Sequence, residues 1–168
     1  FQAAIKVDPN QLPYYMAFGQ LLYNVHKNRD AQKVYLNALS KGLKSEGLYQ
    51  NIAKLHADFG ELDESKAVLL EASNTYPENL SFIYRLSMQD PRILTSELLN
   101  KLNTQNHATL TPSNQFYRYW LLSQFCYQEA KPIEEMEYLE KAHTVFETLN
   151  KFPFDKNVYL KNLSQLNL

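Results

Sequence analysis

The 168-residue chain is expected to be all-α, a solenoid of paired helices, on three observations. Side chains repeat in kind every 34 residues, apolar positions recur at helical spacing almost throughout, and no stretch alternates like a strand. Tyr15, Phe18 and Gly19 return as Tyr49, Ile52 and Ala53, and Ala31 is answered by Ser65. Phe1, Ala4 and Pro9 return as Tyr35, Ala38 and Leu43, then as Leu69, Ala72 and Pro77. Units of this size each bury a face only against a neighbour, so they stack in one dimension. This register puts Phe1 inside a helix, so 1–11 reads as the end of a preceding repeat and the chain as a fragment of something longer.

The elements follow in order. Residues 12–26 form the first helix, with Pro13 tolerated in its opening turn. Asn28, Arg29 and Asp30 form a polar break, and 30–42 form a second helix closed by Gly42 as C-cap. The next pair is 46–58 and 63–75, with a turn at 59–61, Asp63 as N-cap and Pro77 as the stop. In the third unit 79–88 is a short helix cut by Asp90-Pro91, a second helix runs over about 91–103, and 103–114 is the longest loop. The fourth unit has helices at 114–129 and 132–150 around a turn at 130–132, and 155–166 forms a final short helix capping the array. The chain is thus divided into repeats at 12–45, 46–79, 80–115 (degenerate) and 116–149, with 150–168 as cap or linker.

Composition narrows the function classes. At 45% apolar and 21% charged residues the chain has enough apolar content for a core and is not a disordered tail. No apolar run reaches the roughly 18 to 20 residues of a membrane-spanning helix. A net charge of −1, with basic residues dispersed among acidic ones, argues against a nucleic-acid partner. Cys126 is the only cysteine, which rules out an internal disulfide and suits a cytoplasmic setting; on its apolar helix it reads as a small buried hydrophobe.

The residues at fixed register resemble the tetratricopeptide repeat family. Its first helix carries an aromatic, a large apolar residue, a small one and an aromatic; its second carries small, aromatic and small residues before a closing proline. Tyr15, Phe18, Gly19 and Leu22, then Ala31, Tyr35 and Ala38, hold those places in one unit. Tyr49, Ile52, Ala53 and His56, then Ser65, Leu69, Ala72 and Pro77, hold them in the next. Tyr119, Leu122, Ser123 and Cys126, then Glu135, Leu139 and Ala142, follow in the fourth, and the match covers about 110 residues. The third unit keeps Ile83, Leu86 and Ser87, loses the small residues of its second helix and needs two additional residues before register resumes. Leu43 stands where a proline is usual. Small residues at Gly19, Ala38, Ala53 and Ala72 independently allow close helix approach, with aromatics filling the gaps beside them.

The resemblance implies a right-handed superhelix whose first helices line a concave, peptide-binding groove. Register places Met16, Gln20, Tyr23 and Asn24 there, then Gln50, Asn51, Lys54 and Asp58, then Tyr84, Arg85 and Met88, then Trp120, Gln124 and Tyr127. This mixture suits a peptide or protein partner, with Tyr23, Tyr84, Trp120 and Tyr127 as anchors. Some of these side chains can equally pack against a neighbouring helix. Some family members clamp a chaperone's C-terminal carboxylate. Asn51 and Arg85 match that cluster, but Met16, Gln20 and Ser81 stand where further donors are needed, so such a clamp is not expected.

The fragment carries no catalytic, cofactor or metal constellation. His26, His56, His107 and His143 lack the three- or four-residue spacing of paired ligands. Glu134, Glu135, Glu137 and Glu140 read as a solvated helix face, with Glu137 and Lys141 able to pair, and Gly19, Gly42, Gly47 and Gly60 form no phosphate loop. The expected function is a non-catalytic interaction scaffold without cofactor or membrane insertion. The order of two regular repeats, an Asp-Pro break and an aromatic-rich unit also resembles bacterial proteins in which such repeats precede a sulfotransferase domain. On that alternative the fragment is the accessory, substrate-presenting region of a larger enzyme. Self-association through exposed ends of the array is a third expectation.

Overall fold

Turn chemistry sets the helix boundaries. In the computed structural model, which describes residues 2–104 and 110–149, the described residues form helices and connecting turns and no strand. The helices are α1 (Gln2–Val7), α2 (Leu12–Asn24), α3 (Asn28–Ser40), α4 (Glu46–Asp58), α5 (Leu62–Thr75), α6 (Ser81–Gln89), α7 (Ser96–Thr104), α8 (Pro112–Gln128) and α9 (Pro132–Leu149). Helix α4 coincides with its expected span. Ser45 caps it, its side chain accepting from the Leu48 N–H at 3.1 Å, and Gly60 at φ +76 ends it.

Four helices end in one motif, in which the second residue past the cap bonds back to a carbonyl five residues earlier. The bonds are Lys27 N to Leu22 O, Leu43 N to Ala38 O, Glu61 N to His56 O and Lys131 N to Cys126 O, at 2.9 to 3.2 Å. The left-handed residue is Gly42 or Gly60 in two of them, but His26 (φ +60) and Ala130 (φ +53) in the others. A side chain in that conformation costs roughly 1–2 kcal/mol, held here by the surrounding bonds.

Several expectations are corrected by these turns. The break between the first two helices lies at 25–27, and Asn28, Arg29 and Asp30 open α3, because the motif at His26 returns the chain one turn earlier. Gly42 lies past the end of its helix, as the left-handed residue following Lys41. Glu61, not Asp63, stands at the N-cap of α5; the turn at Gly60 starts that helix at Leu62 and leaves Asp63 in its first turn. The helix expected at 91–103 is a 3₁₀ turn at Pro91–Ile93 followed by α7. Asp90, extended before Pro91, breaks the chain there, and the Thr95 hydroxyl accepts from the Leu98 N–H at 3.3 Å to restart it. At α8 the Thr111 hydroxyl accepts from Asn114 N at 3.3 Å, so that helix begins at Pro112 rather than 114. The expected capping helix at 155–166 lies outside the described residues.

The chain divides into two compact units, Phe1–Pro91 and Arg92–Leu168. The division falls at the Asp90-Pro91 break, where the 34-residue period fails. In the first unit each of α2 to α5 packs on the next helix in sequence; in the second, α8 packs along α9 and less extensively on α7. The first core joins Tyr15, Ala31, Tyr35, Ala38, Leu48, Ile52 and Leu55, all buried. The small residues of the repeat, Gly19, Ala38, Ala53 and Ala72, are buried as the period requires. Cys126 is buried, and burial raises its thiol pKa.

Candidate functional site

A candidate site lies on the first unit, where α2, α4 and α6 each contribute residues. Lys54 is its pivot. Its ammonium donates to the Tyr23 hydroxyl at 2.5 Å, lies 4.5 Å from the centroid of the same ring, and donates to Asp58 at 2.9 Å. Hydrogen bonds from Lys54 to Tyr23, then to Asp58, raise its pKa, so it is cationic at neutral pH. Two pockets meet at this side chain. One, of about 60 Å³, is lined by Gln20, Tyr23, Tyr35, Asn51, Lys54 and Leu55. The other, of about 230 Å³, is lined by the buried Ala53, Ser65 and Leu69 together with Lys54, Ala57, Asp58, Arg85, Met88 and Gln89.

Of the residues that register assigned to a groove, Gln20, Tyr23, Asn51 and Lys54 line the smaller pocket, and Lys54, Asp58, Arg85 and Met88 line the larger. The remaining expected residues are less directly engaged. Met16 is half-buried near Gly47, whose added Cβ would sit 3.5 Å from its terminal methyl. Asn24 accepts from Gln20 Nε2 at 2.8 Å, and Gln50 donates to Ser81 Oγ at 3.5 Å. Tyr84 is half-buried. Trp120 and Gln124 are half-buried and Tyr127 is 68% exposed on α8, in the second unit. Sequence reasoning missed Tyr35, Leu55, Leu69 and Gln89, because it assigned Tyr35 and Leu69 to the core alone. Burial raises the Tyr35 pKa, and a hydrogen bond with Asn51 counters this in part.

A second cluster, unforeseen from sequence, ties α3 and α4 to the start of α5. Arg29 pairs with Glu61 and lies over the Phe59 ring, 3.6 Å from its centroid. Glu61 also accepts from Gln32 Nε2 at 3.0 Å and from His56 Nδ1 at 2.7 Å. Bonds from Arg29, Gln32 and His56 hold the Glu61 carboxyl down to about 2, from an ordinary 4.5. A depressed carboxyl stabilises the fold above its unfolded pKa, and that contribution fades as pH falls from about 4.5 towards 2. We therefore expect the urea midpoint to drop across that acid window. Glu61→Gln should be less stable at pH 7 and its curve flatter there; a wild-type-like slope would contradict the assignment.

Among the described residues no group of three His, Cys, Asp or Glu side chains is placed to hold a metal. No described helix is long and apolar enough to cross a membrane. No family model matches the chain, nor does any curated protein or solved structure.

Proposed function

We propose that the first unit is a tetratricopeptide-like, right-handed array of antiparallel helix pairs, and that the chain is a non-catalytic interaction scaffold. Its ligand is an extended peptide segment or a partner helix, laid across α2, α4 and α6. The observation that carries this reading is the meeting of two pockets at Lys54, rimmed by residues of three first helices. The larger pocket, about 230 Å³, has room for a side chain of a bound segment and a polar rim that includes Arg85, and Tyr23 stands at the smaller pocket beside it as an aromatic anchor. Trp120, Gln124 and Tyr127 are proposed as a further contact surface on the second unit.

The test is selection of a displayed random-peptide library on the full chain, followed by affinity measurements on the variants. Tyr23→Ala and Lys54→Ala should each weaken a selected peptide about tenfold, as for anchor residues. Asn37→Ala, on the pocket bordered by α1 and α3, should leave affinity unchanged. Peptides that lose affinity with Asn37→Ala but not with Tyr23→Ala would overturn the reading.

A further inference from the structure

Helix α8 buries its stripe through Arg118, Leu121, Leu122 and Phe125, which are 8%, 0%, 1% and 7% exposed. The spacing i, i+3, i+4, i+7 makes Arg118 a member of the core face rather than of the solvated one. It is also the only charged residue in α8. Arg118 directly precedes Tyr119, the place that Leu48 holds before Tyr49, and Leu48 is fully buried. A guanidinium thus stands where the two preceding units hold the buried Leu48 and Phe82.

That guanidinium is mostly unsatisfied. Nη2 donates to the Asn103 carbonyl of α7 at 3.3 Å, while Nε and Nη1 are buried and make no hydrogen bond. None of the described carboxylates pairs with it. Two buried donors of a charged group left without acceptors are costly, and a partner that accepts from both relieves that cost.

We propose that Arg118 is the receptor of a carboxylate-binding site between α7 and α8. The planar fork of parallel N–H donors matches a carboxylate in geometry. One isolated positive charge balances one negative charge, which favours a carboxylate over a phosphate dianion in a poorly solvated setting. The carboxylate would meet the fork beside α7, whose Asn103 carbonyl already accepts from Nη2. It comes from a small organic acid or from a peptide side chain.

The experiment follows the Arg118 Nε–H resonance and the thermal midpoint of the full chain at fixed ionic strength and pH 8, where phosphate is mostly the dianion. Sodium chloride is exchanged stepwise for sodium acetate, for a blocked glutamate amide, or for phosphate. Acetate or the blocked glutamate should shift the resonance saturably and raise the midpoint, the stronger of the two identifying the source, while phosphate does neither. Arg118→Leu, which restores the residue type of Leu48, should abolish the midpoint response without lowering the starting midpoint; Arg118→Met serves equally if that variant misfolds. An unmoved resonance with both carboxylates, an equal response to phosphate, or a midpoint response that persists in either variant would overturn the proposal.

Discussion

Gly19→Ala should destabilise the protein by about 2 kcal/mol, although alanine is the better helix former by roughly 1 kcal/mol. A Cβ at Gly19 would lie 2.3 Å from Tyr35 Cε1 and 2.4 Å from Cζ, well inside contact distance. Tyr35 is 2% exposed and enclosed by the first core, so its ring has little room to yield. One period later the same two places hold Ala53 and Leu69: the larger residue on the first helix faces the smaller one on the second. The double variant Gly19→Ala/Tyr35→Leu reproduces that pair, and its loss should fall short of the summed single losses by about 1 kcal/mol or more. Urea unfolding of the four proteins measures this coupling. Additive losses would mean that Gly19 is not held to glycine by Tyr35.

Phe82→Ala should have a still larger effect, about 3–5 kcal/mol, since it empties a fully buried aromatic site. Phe82 opens α6 and ends a chain of rings. Its centroid lies 6.4 Å from Tyr76, which in turn meets Tyr49 edge-on at 6.1 Å. This chain links α4, the end of α5 and α6, so its loss frees the helix that carries Arg85 and Met88. Amide hydrogen exchange in α6 should accelerate more than in α2. A loss below about 1 kcal/mol would show that α6 is anchored elsewhere.

The helical class and the pairing of small with large residues were legible because both are properties of a period. Tyr15, Tyr49, Ala38 and Ala72 are buried where the spacing demands it. Legibility failed wherever a bond between distant residues outweighed the local signal. Asp63 is a better cap by type than Glu61, but Glu61 is positioned by Arg29, Gln32 and His56, residues that sequence reading treats separately. Arg118 looks like a surface residue by type and is revealed only by its place on the stripe. Register placed Lys54, Tyr23 and Arg85 on their helices' outward faces. It did not supply the pocket floors, because Tyr35, Leu69 and Gln89 come from neighbouring elements or helix ends.

The central claim is that the α2, α4 and α6 face receives a peptide. The chain holds three methionines, and they make natural reporters: Met88 rims the larger pocket, Met16 is half-buried on α2, and Met136 is exposed on α9 of the second unit. With methyl-labelled methionine, titration of a library-selected peptide should shift the Met88 methyl saturably and leave Met136 in place. A peptide that binds while shifting Met136 and leaving Met88 unmoved would contradict the account.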